Sequence, residues 1–203
     1  MDGSEIHESV MTLLAIDRHD CEYSIFAPDD NQYHVINHYS GQVTDEKRNM
    51  LAEAARIARG NIKPITECHV EDFDALVFPG GFGSAKSLFT YAIEGENCKI
   101  RKDVEGLIKA FYHQHKPIGG LCIAPVMMAR ALGDITITVG NDDATIADVQ
   151  SFGATHIVTQ QKDVIADKQN MIFTTPCYML PARISDIADC ADNLIGAILE
   201  NIQ

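Results

Sequence analysis

The chain has 203 residues, an apolar fraction of 46%, a formal net charge of −13 and six cysteines. That length and composition suit one globular domain spanning 1–203. The acidic balance, without any basic cluster, argues against nucleic acid and against anionic membrane surfaces, and no apolar run reaches the roughly 20 residues of a membrane span. Cys21, Cys68, Cys98, Cys122, Cys177 and Cys190 are irregularly spaced, with no CxxC pair to suggest zinc or a redox dithiol. With no secretory signal at the N-terminus, the expected setting is the cytoplasm, with thiols reduced.

In chain order, Ser4 is a plausible N-cap, and Ile6, Val10, Leu13, Leu14 and Ile16 supply an apolar stripe for a first helix. Residues 21–27 read as a strand closed by Pro28-Asp29-Asp30-Asn31, and 33–44 as a loop or short hairpin. Thr44 or Asp45 can cap a helix over 46–58, ended by Gly60, and 62–66 reads as a short strand. The run 74–78 is a buried strand that enters the bend Pro79-Gly80-Gly81-Phe82-Gly83. Such a bend brings bare backbone N–H groups close to a ligand or makes an ordinary tight turn. Helix and loop follow over 84–97, then an amphipathic helix over 100–115.

Pro117-Ile118-Gly119-Gly120-Leu121-Cys122 is a short apolar run ending in cysteine, and Ala124-Pro125 opens a helix through Leu132. A strand, a sharp turn and a helix put the cysteine above the sheet beside unpaired N–H groups, the cysteine form of a nucleophile elbow, where thiolate is favoured. A small buried hydrophobe is the plain alternative for Cys122. Strand 135–139, helix 145–152 and short strands 156–158, 164–166 and 171–174 follow, the last two as a hairpin around Asp167-Lys168-Gln169-Asn170. The C-terminus reads as helical with a break at 189–192. Alternating strands and helices predict an α/β layered sandwich with a mostly parallel sheet, whose site lies at the strands' carboxyl ends, where Gly80-Gly81 and Cys122 both fall.

Phe78-Pro79-Gly80-Gly81-Phe82-Gly83 followed by Gly119-Gly120-Leu121-Cys122-Ile123-Ala124-Pro125 resembles the ThiJ/PfpI branch of the class I glutamine-amidotransferase-like superfamily. The finer resemblance is to its ElbB (enhancing lycopene biosynthesis) glyoxalase group. It is carried by Asp2 to Glu8, Val35 to His38, Arg48 to Leu51, Ala54 to Gly60 and Thr174 to Met179, and spans essentially the whole chain.

The resemblance implies a flavodoxin-like three-layer sandwich, usually a homodimer, with Cys122 as nucleophile. It implies Glu8 as the first-helix acid against the sulfur, with Glu5 as runner-up, and the Gly80-Gly81 turn with the Gly81 and Ile123 amides as oxyanion and substrate cradle. Read alone, Glu8 is a solvated helix-face carboxylate. Relatives begin with a strand and a glycine-rich loop ahead of Asp2, so this chain is expected to lack the family's first strand and to leave sheet edges open. Where a triad histidine often stands, Gly140-Asn141-Asp142 is found. Asn141 and His7 are therefore possible auxiliaries, His7 more simply a surface or capping residue. The implied activity is cofactor-free and metal-free conversion of a small dicarbonyl, glyoxal or methylglyoxal, to a 2-hydroxy acid, with deglycase chemistry as a relative of it. The alternatives are a cysteine-based redox-sensing or chaperone-like stress protein and a non-catalytic partner in isoprenoid biosynthesis.

Overall fold

A computed structural model of the chain describes residues 1–202. The elements in order are α1 (Ile6–Arg18), β1 (Phe26–Ala27), β2 (Val35–Asn37), β3 (Gln42–Thr44), α2 (Met50–Ile57), β4 (Lys63–Pro64) and β5 (Leu76–Phe78). After these come α3 (Ser84–Ser87), α4 (Tyr91–Glu94), α5 (Lys102–His113), β6 (Ile118–Leu121), α6 (Ala124–Leu132) and β7 (Thr136–Ile137). The chain closes with α7 (Asp143–Ser151), β8 (Thr155–His156), β9 (Ile165–Asp167), β10 (Ile172–Thr175) and α8 (Ile184–Leu199).

The central sheet runs β5-β6-β10-β9, parallel across its first three strands and closed by the antiparallel β9–β10 hairpin. Successive residues of a strand point to opposite faces, and β10 uses both. Ile172 joins Ile108, Phe111, Val126 and Met127 of α5 and α6 on one face, while Phe173 joins Ala15 of α1 and Ile187, Leu194 and Ile198 of α8 on the other. Helices on both faces of a mostly parallel sheet make the α/β sandwich that the alternation of elements predicts, in the flavodoxin-like form that the resemblance implies.

Toward the start of the chain the sheet is divided. β1 pairs in parallel with β4 alone, and β5 pairs with β6 alone. Between them opens a cavity of about 2000 Å³ lined by 21–28 on one side and 72–79 on the other, with Ile195 and Ile198 of α8 and Leu107 and Phe111 of α5 among its walls. No strand lies between β1 and β5 among the described residues.

Four local expectations are corrected. Glu5 rather than Ser4 caps α1, its carboxylate accepting from the Glu8 N–H at 2.7 Å. Helix α2 starts four residues later than expected because Asn49 is its cap, accepting from the Ala52 N–H, while Glu46 turns away to pair with Arg48. Only Phe26–Ala27 of the 21–27 run is paired, since its partner β4 is two residues long before a 3-10 turn begins. The break expected at 189–192 is absent. Asp186 and Asp189 both pair with Lys162 on the outer face of α8, which leaves Ile187, Cys190, Ala191, Leu194, Ile195 and Ile198 as one buried stripe at helical spacing.

Candidate active site

Strand β6 is buried along its whole length and ends at Cys122, whose φ of 60° is left-handed. A residue with a Cβ seldom takes that conformation unless its surroundings enforce it. Here the Cys122 N–H donates to the Thr175 carbonyl at the end of β10, at 3.0 Å, and α6 starts at once with Pro125 in its first turn. The elbow expected from sequence is therefore present, and Cys122 keeps 7% of its surface exposed.

Helix α1 is docked onto the bend that follows β5. The Glu5 N–H donates to the Gly80 carbonyl at 3.0 Å and the Gly83 N–H to the Gly3 carbonyl at 3.1 Å. Gly81 has a φ of 114°, and a Cβ there would lie 2.3 Å from the Glu5 nitrogen, so only glycine admits the helix this closely. The docking turns Glu8, one turn into the helix, inward. Glu8 has no exposed surface.

Glu8 and Cys122 meet over Gly80. The Glu8 Oε2 accepts from the Gly80 N–H at 2.9 Å, Oε1 accepts from the Tyr178 N–H at 3.4 Å, and the Cys122 side chain hydrogen-bonds the same carboxyl. A Cβ added to Gly80 would lie 2.6 Å from Cys122 Cβ and 2.7 Å from Glu8 Oε2. The two functional groups thus fill the space a side chain would need. The backbone N–H groups of Gly81 and Ile123 are within hydrogen-bond reach of the Cys122 sulfur.

Burial is the main influence on both groups. It raises the Glu8 carboxyl to about 7, helped by the Glu5 carboxylate and opposed by the hydrogen bonds from Cys122, Tyr178 and Gly80. Burial, reinforced by Glu8, pushes the Cys122 thiol well above its usual range, against the pull of the Gly81 and Ile123 amides. This corrects the thiolate expected from the helix N-terminus alone, because the amides do not outweigh desolvation beside a carboxylate. The thiol lies against Glu8, and a carboxyl titrating near neutrality can take its proton when the sulfur attacks.

The auxiliaries fall elsewhere. Glu5 is committed to capping α1, and His7 points outward, its Nδ1 2.7 Å from the Tyr178 hydroxyl. Asn141 is exposed on the turn before Asp142, the N-cap of α7. Sequence reasoning gave no role to the segment after β10, yet Thr175 anchors the elbow and Tyr178 holds Glu8. Thr175-Pro176 is the local hint of a turn there. Among the described residues no three His, Cys, Asp or Glu side chains converge as a metal site requires.

No family model matches the chain. In solved structures the architecture recurs in a ThiJ/PfpI domain protein from Brachyspira murdochii, with a TM-score of 0.61, 17% identity, and 99% of this chain and 92% of that one covered. It recurs more closely in an isoprenoid biosynthesis protein with an amidotransferase-like domain from Ehrlichia chaffeensis, at a TM-score of 0.91 and 32% identity over 98% of this chain and 93% of that one. The fold is one that the chain shares with the ThiJ/PfpI domain protein and with the protein carrying an amidotransferase-like domain.

Among curated proteins, the human glutamine amidotransferase-like class 1 domain-containing protein 3, mitochondrial, is 40% identical over 98% of this chain and 78% of its own length. The rat ES1 protein homolog, mitochondrial, is 40% identical over 98% of this chain and 79% of its own length. The chain belongs to this ES1-type family of class 1 glutamine amidotransferase-like proteins. The names of these relatives overturn the cytoplasmic expectation, pointing to mitochondria instead. The lack of a secretory signal, on which that expectation rested, does not distinguish the two compartments.

Proposed function

We propose that the chain is a glyoxalase of the ElbB type, converting glyoxal or methylglyoxal to a 2-hydroxy acid without a cofactor. The observation that carries the reading is the buried Glu8–Cys122 contact, a nucleophile paired with a carboxyl that titrates at about 7. The Cys122 sulfur adds to one aldehyde carbon as Glu8 accepts the thiol proton, and the Gly81 and Ile123 amides stabilise the oxyanion formed beside the sulfur. Protonation of that oxygen completes a hemithioacetal. Glu8 then carries a proton from the carbon bonded to sulfur to the neighbouring carbon through an enediol, leaving a thioester. Water cleaves the thioester, releasing glycolate from glyoxal and restoring the Cys122 thiol. One carbon is oxidised and its neighbour reduced, so glyoxal plus water balances glycolate plus a proton. The expected result is saturable formation of glycolate, lowered by about 10³-fold or more in Cys122→Ser. Turnover that survives Cys122→Ser overturns the mechanism.

The same reading includes a homodimer. Ile6, Val10 and Leu14 repeat every fourth residue on α1 and are 61%, 42% and 36% exposed, an apolar stripe facing solvent beside His7 and Tyr178. Sedimentation of the full chain at micromolar concentration is expected to give twice the 22.3 kDa protomer mass, reduced to the protomer by Val10→Asp.

A further inference from the structure

The divided sheet leaves two strand edges facing one cavity. In a strand the N–H and C=O of one residue point to the same edge, and those of the next residue to the other. The Leu76 N–H donates to the Pro117 carbonyl at 3.0 Å, which turns Leu76 toward β6 and Val77 away from it. The Ile25 carbonyl accepts from the Lys63 N–H at 3.0 Å, which turns Ile25 toward β4 and Phe26 away from it. Phe26 and Val77 both line the cavity, and no strand pairs with either of these outer edges among the described residues.

The cavity lies in the plane of the sheet, not over one face of it. Ile16 of α1 with Ile195 and Ile198 of α8 wall it from one layer, and Leu107 and Phe111 of α5 from the other. The gap shows in β5 itself, where Leu76 and Val77 are only half-buried while β6 and β10 are buried throughout. Phe26 and Phe73 meet across it edge to face, their ring centres 5.5 Å apart. Thr12 of α1 lines the same cavity, is 5% exposed, and its hydroxyl has no hydrogen-bond partner. A buried polar group left unpaired is costly, and an entering chain can bring it a partner.

A small apolar molecule would fill the volume and leave the peptide groups of both edges buried without partners. An extended backbone satisfies both edges at once. Because helices cover the slot from both layers, successive side chains of that backbone must all be apolar, as in the inner strands of a parallel sheet. A second copy has no such run to offer from its folded surface. Its exposed large apolar side chains stand singly, apart from the pair Ile157-Val158.

We propose that the cavity is a strand-acceptor slot, taking an uninterrupted apolar segment of about five residues from another polypeptide as a new strand between β1 and β5. The added strand hydrogen-bonds Phe26 on one edge and Val77 on the other, and so joins the β1–β4 pair to the four-stranded sheet.

The probe is a synthetic nonapeptide, Val-Ala-Val-Leu-Val between pairs of lysines, titrated calorimetrically into the full chain, with amide hydrogen exchange of the chain read by mass. Saturable binding at one peptide per chain is expected, with exchange in 24–28 and 75–79 slowed at least about tenfold. Proline in place of the peptide's central valine keeps every charge but removes a ladder donor, and should weaken binding at least about tenfold. Val77→Pro removes the donor that faces the slot and no bond to β6, and should weaken the parent peptide to a similar degree. The prolyl peptide decides the matter even if that variant fails to fold. Equal binding by the two peptides, no binding up to about 1 mM, or slowed exchange confined to another edge such as 155–158 overturns the proposal. So does protection of 24–28 and 75–79 that grows with protein concentration alone, which makes a second copy the occupant. None of these readings depends on glyoxal turnover.

Discussion

Cys122 and Cys190 lie in one buried cluster, and their surroundings shift them in opposite directions. Cys122 has the recognisable motif, a strand-to-helix elbow with two amides beside its sulfur, yet burial, reinforced by the Glu8 carboxyl, keeps the thiol protonated. Cys190 sits in the middle of a helix with no motif at all, and converging donors favour its thiolate. Backbone geometry decides where a sulfur is presented. Neighbouring charge and donor count decide its protonation state. In the proposed mechanism the Cys122 proton is held for transfer to Glu8, which suits a nucleophile that adds and leaves in each turnover.

The largest effect on this contrast is expected from removing the carboxylate. Glu8→Gln keeps the size of the side chain but leaves the thiol without a base, and glyoxal turnover is expected to fall about 10²- to 10⁴-fold. In the unsubstituted chain kcat/KM should rise with pH through about 7 as Glu8 ionises, and the variant should lose that limb. Stability moves in the opposite sense. Glu8 binds its proton more tightly folded than unfolded, so its contribution is fully present below about 4.5 and is lost as pH rises through about 7. The shift corresponds to about 3 kcal/mol. Chemical denaturation at pH 5 and pH 8 should show that decline in the unsubstituted chain and its absence in Glu8→Gln.

Gly80→Ala comes next, because its methyl would enter the space now filled by Cys122 Cβ and Glu8 Oε2. Overpacking of this kind typically costs about 1–3 kcal/mol. Denaturant midpoints should fall, and since the methyl also separates the carboxyl from the sulfur, kcat should fall more than KM rises. On the other side of the comparison, Gln161→Ala removes one donor from Cys190 and should slow its labelling by a small alkylating reagent roughly three- to tenfold, in keeping with an ordinary hydrogen bond of about 0.5–1.5 kcal/mol. The Cys122 labelling rate serves as the internal reference.

How much of this was legible in the sequence depends on distance along the chain. The elbow, the Gly80-Gly81 bend and the β9–β10 hairpin are local, written in consecutive residues whose conformational needs are strong, and they stand where the sequence places them. The Glu8–Cys122 contact joins residues 114 positions apart, and composition gives a first-turn glutamate no reason to be buried. Only the family resemblance pointed to it. The Gln161 amide that donates to the Cys190 sulfur lies 29 positions away in sequence, and neither residue belongs to a motif. The apparent break in α8 shows the converse failure. An Asp-rich stretch with cysteine and alanine looks weak in isolation, yet Asp186 and Asp189 find Lys162 outside while Cys190 and Ala191 find the core inside, and tertiary packing keeps the helix continuous.

The smallest expected effect is the one at His7. A histidine adjacent in sequence to Glu8 invites assignment as the missing triad member, and the geometry argues against it. Successive residues on a helix point about 100° apart, so with Glu8 turned to the core His7 faces outward, where it meets the Tyr178 hydroxyl at 2.7 Å. Losing that exposed hydrogen bond costs about 0.5–1.5 kcal/mol at most. Tyr178 holds Glu8 through its backbone N–H, not its ring, so the contact to the carboxyl does not depend on His7. His7→Ala is therefore expected to leave kcat/KM for glyoxal within about threefold, the change allowed by a shift of well under 1 kcal/mol. A loss of a hundredfold or more would place His7 in the proton path and require α1 to turn during the reaction, which would remove Glu8 from the sulfur.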